Sequence, residues 1–210
     1  MTWADSRNSA DADLQVLHSL RCVGHASVAR VAAATGLPEP VVESELIAHA
    51  AGGNVTHTPG EFGGWGLTDA GRALDAERIT DELKNAAART AVTDAYHRFL
   101  ALNPELLDLC AAWQMRSVHG VMTTNDHTDP GYDARILERL TDFDHRAQVV
   151  CAQLSAAIAR FGRYGLRLAD ALIRARSGAL EYVATSTSSY HTVWFQLHED
   201  LLATLGIPRF

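Results

Sequence analysis

The alternation of apolar and polar positions predicts a helix-rich first third of the chain with one β-hairpin. Residues 1–12 are polar and are expected to form a loose arm. Proline in first helical turns, glycine after last turns and β-prone residues around a Gly-rich loop mark the boundaries that follow. The predicted elements are a helix over Leu14–Cys22, a helix over Ala26–Thr35, a helix from Val41 to about Ala51, strands over Val55–Thr58 and Trp65–Thr68, and a helix that begins at Asp69.

The rest of the chain carries helical periodicity almost throughout. Helices are predicted at Ala95–Asn103, Pro104–Gln114, Tyr132–Ala159, Tyr164–Arg176 and Ser188–Leu202, with Ser188 or Ser189 as the N-cap of the last. Ser117–Gly131 is expected to be an irregular loop. We therefore expect a mainly α protein with two domains, a first over residues 14–80 and an all-helical C-terminal domain over residues 81–210.

The last predicted helix has two histidines on its apolar face. At roughly 100° per residue, one arc of about 140° holds Tyr190, His191, Trp194, Phe195, His198, Leu201 and Leu202. Four polar residues fall outside that arc: Thr192, Gln196, Glu199 and Asp200. A buried imidazole needs hydrogen-bond partners. This face therefore either holds a buried polar network or lines a pocket, and the sequence leaves both open.

The order helix, helix, helix, hairpin, helix is that of a winged helix-turn-helix domain. Two segments carry a more specific likeness, Val28-Ala-Arg-Val-Ala-Ala-Ala-Thr-Gly-Leu37 and Leu67-Thr-Asp-Ala-Gly-Arg72. Over about residues 14–78 the chain resembles the MarR-like winged-helix regulators, whose wing is commonly followed by a Leu-Thr-x-x-Gly-Arg pattern. The resemblance implies an N-terminal winged helix-turn-helix with a small β-hairpin wing.

A second likeness covers the helical remainder and rests on five short segments. These are Asn103-Pro104, Trp113-Gln114, Asn125–Asp129, Tyr132-Asp133 and Ser189–Trp194. Through them the remainder is similar to a region of actinobacterial proteins described as regulators or as pyruvate phosphate dikinase-like. That likeness implies no catalytic residue.

The charge distribution disfavours DNA as a partner. The 210 residues have a formal net charge of −7 at pH 7, which opposes non-specific attraction to nucleic acid or to an anionic membrane. The candidate recognition helix, residues 40–50, has no Lys or Arg and carries Glu43 and Glu45. Ser44 and His49 can donate hydrogen bonds to bases, so DNA stays open as a disfavoured partner.

Familiar metal and cofactor motifs are missing from the sequence. Three cysteines are far apart, form no CxxC pair and are expected to be buried reduced thiols: Cys22, Cys110 and Cys151. His191 and His198 lie about 10 Å apart along a helix axis and cannot bind one ion together. HExxH and Gly-rich nucleotide-binding motifs are also missing. We expect no metal and no cofactor, although a mixed site of His127, Asp129 and His198 stays open.

Aromatic and titratable side chains in the helical domain point to a pocket for a planar ligand. The candidate catalytic residues are His191, His198 and Glu199, because imidazole and carboxylate groups are the commonest general acids and bases. The candidate substrate-binding residues combine aromatic walls with polar groups: Trp113, Gln114, Asn125, His127, Tyr190, Trp194 and Phe195.

These observations favour a small cofactor-free enzyme that acts on an aromatic metabolite by general acid–base catalysis. A condensation or cyclisation of the Pictet–Spengler type in specialised metabolism fits an aromatic slot with a base, with the winged helix as a scaffold. The alternative is a ligand-responsive MarR-like transcriptional regulator that binds DNA as a dimer. A homodimer is expected in either case. A cytoplasmic location without membrane contact is also expected, because the N-terminus lacks signal-peptide features and no apolar run spans a bilayer.

Overall fold

The computed structural model describes residues 3–60, 63–118 and 120–208, with side chains from residue 11 onward. This part of the chain is mainly helical and contains two short antiparallel hairpins. The helices are α1 (Trp3–Val23), α2 (Val28–Thr35), α3 (Glu39–Ala51), α4 (Asp69–Asn85), α5 (Arg89–Gln114), α6 (Pro130–Ala157), α7 (Gly162–Arg176) and α8 (Tyr190–Leu205). The hairpins are β1 (Val55–Thr58) with β2 (Gly64–Leu67), and β3 (Met115–Val118) with β4 (Val121–Thr124). Short 3-10 segments lie at Ala159–Phe161 and Leu180–Tyr182.

The chain divides into two compact units. The first comprises the described residues up to Ala87 together with those from His198 onward, and the second comprises Ala88–Leu197. The boundary expected after residue 80 falls inside α4. The last residues of the chain, expected in the C-terminal domain, belong to the first unit. One helix, α8, thus contributes its beginning to the second unit and its end to the first.

In the first unit, α2, α3, β1, β2 and α4 follow the predicted order. Ser27 caps α2 by accepting a hydrogen bond from the backbone N–H of Arg30, and Gly36 ends it in the left-handed conformation. Pro40 is tolerated in the first turn of α3. These elements enclose one apolar core, formed by Val16, Leu17, Leu20, Ala26, Val31, Val42, Leu46 and Val55.

The Leu-Thr-x-x-Gly-Arg segment has a clear structural role. Thr68 Oγ1 accepts from the backbone N–H of Gly71 at 3.0 Å and donates to the carbonyl of Gly53 at 2.7 Å. A Cβ at Gly71 would lie 1.9 Å from the carbonyl oxygen of Asn54, so only glycine permits this contact. The segment therefore caps α4 and holds it against the turn that precedes β1.

The first helix is longer than the sequence predicts. α1 begins at Trp3, so the expectation of a loose arm over residues 1–12 is wrong from residue 3; residues 1 and 2 lie outside the described residues. Val16, Leu17 and Leu20 anchor the helix in the core. Once it is nucleated, each added residue gains a backbone hydrogen bond, so a polar segment without a helix breaker extends it.

The second unit corrects two predictions. α5 continues through Pro104, where a break was expected. The proline removes one backbone hydrogen bond, but Phe99 and Leu106 are buried on either side of it and keep the helix against the core. The loop expected from Ser117 is the hairpin β3–β4 up to Thr124, so this domain is not all-helical. The residues of β3 and β4 are largely exposed. They therefore lack the alternation of apolar and polar residues from which a strand is predicted.

The start of the last helix agrees with its sequence. Ser189 Oγ accepts from the backbone N–H of Thr192 at 3.2 Å, as an N-cap residue does. The preceding helix, α7, ends at Arg176 as predicted. Within the described residues, no helix combines the length and the apolar character needed to cross a membrane.

Candidate functional site

The buried face of α8 only partly matches the arc predicted from its sequence. Four residues of that arc are buried as expected: Tyr190, Trp194, Leu201 and Leu202. Gln196 and Asp200, expected outside the apolar arc, are 2% and 0% exposed, whereas Phe195, expected inside it, is 40% exposed. Both polar side chains are paired. Gln196 Oε1 accepts from Arg167 Nη2 at 2.5 Å, and Asp200 Oδ1 accepts from Thr204 Oγ1 at 3.1 Å. A buried polar residue that has a hydrogen-bond partner is stable in the core. A prediction from the positions of apolar residues does not identify such residues as buried.

Tyr190 and Trp194, expected to line a substrate slot, pack in the core of the second unit. Trp194 stacks on Phe99 with the ring centroids 4.3 Å apart and donates from Nε1 to Asn103 Oδ1 at 3.0 Å. The Tyr190 hydroxyl donates to Asp144 Oδ1 at 2.8 Å. Burial, and then the charge of Asp144, hold the pKa of Tyr190 well above its ordinary value. Tyr190 is therefore a neutral structural donor.

The three residues expected to be catalytic are half-buried on α8. His191 belongs to the second unit, and its backbone N–H donates to the carbonyl of Val183 at 3.1 Å. His198 and Glu199 belong to the first unit. The structure thus divides the predicted catalytic set between the two units. Polar side chains that hydrogen-bond to one another lie instead around the loop that follows β4.

Asn125 organises this loop. Its backbone N–H donates to the carbonyl of Gln114 at 2.8 Å, and its side-chain Nδ2 donates to the carbonyl of Trp113 at 3.0 Å and to Asp133 Oδ1 at 2.8 Å. Its Oδ1 accepts from the backbone N–H of His127 at 3.3 Å. Because both amide hydrogens point at acceptors, the partners fix the amide orientation. Asn125 therefore joins the end of α5, the loop and the start of α6.

His127 and Asp133 form a hydrogen-bonded pair. His127 Nδ1 lies 2.9 Å from Asp133 Oδ2. A carboxylate can only accept, so the proton is on Nδ1 and a neutral ring has its lone pair on Nε2. Asn125 Nδ2 is 3.2 Å from the same Nδ1, but both of its hydrogens are already donated elsewhere. Among the described residues, none forms a hydrogen bond with Nε2.

The backbone around the pair is held from both sides. His127 has a φ of 58°, a left-handed conformation that is uncommon outside glycine and persists where surrounding bonds fix it. Arg116 Nη2 donates to Asp126 Oδ1 at 2.7 Å and to Thr128 Oγ1 at 3.2 Å. Asp129 then caps α6 by accepting from the backbone N–H of Tyr132. The hairpin β3–β4 supplies Arg116 and so positions the loop.

A pocket of about 310 Å³ adjoins His127. Its lining combines an aromatic wall with polar groups: Trp113, Gln114, Thr124, Asn125, His127, Leu180, Glu181 and Thr185. The Trp113 ring centroid is 4.7 Å from that of the His127 imidazole. The volume lies at the lower end of ligand pockets, which suits one small planar molecule. Four of the seven predicted substrate-binding residues line this pocket, and Tyr190, Trp194 and Phe195 do not.

Sequence reasoning missed two acidic groups of this site. In the sequence, the place of Asp133 in the first turn of a predicted helix is sufficient to account for it, because a carboxylate there complements the helix dipole. The motif Asn125-x-His127 followed six residues later by Asp133 is the signal that could have linked it to the loop. Glu181 had no comparable signal, because it reaches the pocket from a distant 3-10 segment and only the folded chain shows that proximity.

Potential metal ligands converge elsewhere in the structure. Within the described part of the chain, the group of three or more that could hold an ion is His18, Cys22 and Asp200, in the first unit. The mixed site of His127, Asp129 and His198 that the sequence left open is not among the groups found in the described residues. Asp129 instead caps α6.

Comparison with known proteins adds no functional assignment. No protein-family model matches the chain, and no curated protein or solved structure matches it either. The resemblance to MarR-like regulators therefore rests on the sequence motif and on the order of the elements.

Proposed function

We propose that the protein is a small enzyme that acts on an aromatic metabolite by general acid–base catalysis in the pocket beside Trp113. The His127–Asp133 pair is the observation that carries this proposal. A general base needs a free lone pair within reach of the substrate and a partner that fixes its tautomer. The 2.9 Å contact from Nδ1 to Asp133 provides the partner and leaves Nε2 as the base.

The pocket residues divide the work of binding and proton transfer. His127 Nε2 takes the proton, and Asp133 stabilises the imidazolium that results. Trp113 is 2% exposed and packs against the His127 ring, and it contributes an apolar wall to the pocket. Glu181 brings a carboxylate to the pocket lining, which favours a substrate with an amine or iminium group. These side chains carry the proposed proton transfer without a cofactor.

A ring closure of the Pictet–Spengler type illustrates the chemistry that such a pocket supports. An electron-rich aromatic carbon attacks an iminium carbon, so one C–C bond forms and the iminium π electrons pass to nitrogen. The attacked ring carbon then carries a proton that a base must remove to restore aromaticity. His127 Nε2 is the proposed acceptor of that proton, and the anionic pocket stabilises the cation before closure.

The first unit enters the proposal as a winged-helix scaffold. The order α1, α2, α3, β1–β2 hairpin, α4 supports that assignment. On α3, Glu43, Ser44 and Ile47 are exposed and no Lys or Arg accompanies them. A duplex would therefore meet an acidic and partly apolar helix. A dimeric MarR-like regulator that binds the same aromatic ligand is the second candidate, and we propose a cytoplasmic homodimer for either function.

A turnover screen tests the proposal. Purified protein is incubated with pairs of aromatic ethylamines and aldehydes, and products are followed by mass spectrometry. We expect wild type to form a condensed product and His127→Gln to lose roughly 100-fold or more of the rate, the usual contribution of a general base. His145→Gln, at an exposed position on α6, is the matched control and should keep full activity. Equal rates for His127→Gln and wild type would overturn the proposal.

A further inference from the structure

His18 lies at the centre of a buried cluster in the first unit. Its Nδ1 is 2.9 Å from Asp75 Oδ1, and its Nε2 is 3.1 Å from Asp200 Oδ1 and 3.6 Å from Cys22 Sγ. The four residues are at most 5% exposed. His18 and Cys22 are one turn apart on α1, while Asp75 comes from α4 and Asp200 from the end of α8.

Three potential ligand atoms converge on one point in this cluster. His18 Nε2, Cys22 Sγ and an oxygen of Asp200 all lie within 4.8 Å of one another. His18 Nε2 carries at most one hydrogen, and one hydrogen cannot form a well-aligned hydrogen bond with Asp200 Oδ1 and with Cys22 Sγ at the same time. A cation among the three atoms would use the lone pairs of all of them.

The spacing of these atoms fits a tetrahedral zinc ion. Zinc binds imidazole nitrogen and carboxylate oxygen at roughly 2.0–2.2 Å and thiolate sulfur at roughly 2.3 Å. Tetrahedral angles then place N and S about 3.5 Å apart and N and O about 3.3 Å apart. The distances from His18 Nε2 are 3.6 Å to Cys22 Sγ and 3.1 Å to Asp200 Oδ1. The ligands thus need little rearrangement to close on an ion.

We propose that His18 Nε2, Cys22 Sγ and Asp200 Oδ1 bind one Zn²⁺ ion, with Asp75 as a positioning residue. The Asp75 carboxylate accepts from Nδ1–H of His18. This contact orients the ring so that the lone pair of Nε2 points at the metal, as carboxylates behind zinc-bound histidines do. Binding releases the Nε2 proton and the thiol proton as the dication enters. The net charge of His18, Cys22, Asp75 and Asp200 is −1 when the imidazole and the thiol are both protonated. With both protons released and Zn²⁺ bound, the net charge is again −1.

The position of the cluster has a consequence for stability. Asp75, behind the His18 ring, lines a pocket of about 240 Å³ with Arg21, Ala76 and Leu202, whereas the three proposed ligands are buried. The bound ion would join α1 to the end of α8 within the first unit. Zinc binding would then stabilise this unit, independently of the acid–base site in the second unit.

Cobalt titration of untagged, chelator-stripped protein tests the site. We expect one equivalent of Co²⁺ to produce a thiolate-to-cobalt charge-transfer band in the near ultraviolet, and Zn²⁺ to displace it. Cys22→Ser should lose the band, while Cys151→Ser, at a buried thiol in the second unit, should keep it. Wild-type protein without a band, or a band that persists in Cys22→Ser, would overturn the proposal.

A second variant reports on the site without removing a ligand. Asp75→Asn should still bind one equivalent of Co²⁺, with an affinity lowered about 10- to 100-fold, as expected for the loss of a carboxylate behind a metal-bound histidine. Its melting temperature with and without Zn²⁺ gives an independent readout of the same loss. An affinity equal to that of wild type would contradict the proposed orientation of His18.

Discussion

His127 and Asp133 are joined by a 2.9 Å hydrogen bond between Nδ1 and Oδ2. The other oxygen of the same carboxylate accepts from Asn125 at 2.8 Å. Both carboxylate oxygens therefore have fixed partners, and the imidazole is held against the Trp113 ring. An imidazole with a fixed tautomer and an available second nitrogen is the arrangement that general-base catalysis requires.

Asp133→Asn should lower kcat about 100- to 10,000-fold while changing KM much less. The amide of asparagine can donate to Nδ1, which favours the tautomer with the proton on Nε2 and removes the base. Steady-state kinetics on a substrate from the turnover screen measure the effect. Asp142→Asn, at an exposed position on the same helix, is the control. A fall of similar size in both variants would point to a general effect on α6.

Tyr190→Phe should lower the free energy of unfolding by about 1–3 kcal/mol, because a buried carboxylate loses one of its hydrogen-bond donors. The hydroxyl of Tyr190 donates to the buried Asp144, whose Oδ1 retains only the contact from Gln148 Nε2 at 3.1 Å among the bonds described for it. Urea unfolding measures the change. Tyr182→Phe removes only an exposed contact with Arg174 and should fall within about 0.5 kcal/mol of wild type. Equal stabilities of the two variants would contradict this account of the core.

The stability of the protein should fall at alkaline pH. Burial raises the pKa of the Cys110 thiol from 9.0 to about 11. Burial and the nearby charge of Asp144 raise that of Cys151 to about 12. The folded state disfavours both thiolates. The stability associated with the protonated thiols is therefore fully present below pH 9 and is lost as the pH rises from 9 through the folded pKa values. For Cys110 the loss by pH 11 is on the order of 2 kcal/mol.

Unfolding curves between pH 8 and pH 11 check this dependence. Cys110→Ala should show a shallower decline above pH 9 than wild type, whatever its stability at neutral pH. A decline of the same slope in both proteins would assign the alkaline transition to other groups.

The first unit should not bind DNA. Two of its basic side chains are paired with acids, Arg78 with Asp13 and Lys84 with Asp81, and α3 has no lysine or arginine. Fluorescence anisotropy against promoter DNA should show no binding at low salt. Binding that weakens steeply with salt would reveal counterion release and would favour the regulator over the enzyme.

Local rules were sufficient for most of the first unit. Gly36 ends α2 and the Thr68 cap starts α4 where the sequence predicted these boundaries. The start of α2 was placed two residues early, at Ala26, because the Ser27 cap was not predicted. Such signals act over a few residues. The buried face of α8 depends instead on distant partners, since Asp200 is buried against His18 from the other end of the chain. Apolar periodicity therefore found part of the core face but missed Gln196 and Asp200 and wrongly included Phe195.

The residues that line the pocket also differ in how far they could be predicted from the sequence. Trp113, Gln114, Asn125 and His127 lie within 15 positions of one another, and the sequence grouped them as substrate-binding residues. Glu181 and the other lining residues of its segment join them only through packing. The hairpin that places Asn125 beside Trp113 was not predicted, because its exposed strands leave no pattern in the sequence.

Heteronuclear NMR of the histidine side chains tests the central claim most directly. His127→Gln assigns the ring signals, and the nitrogen shifts then show which atom carries the proton. We expect the neutral His127 ring to have its proton on Nδ1 in wild type and on Nε2 in Asp133→Asn, with the wild-type Nε2 signal changing when an aromatic amine is added. A proton on Nε2 in the neutral wild-type ring would contradict its role as the base.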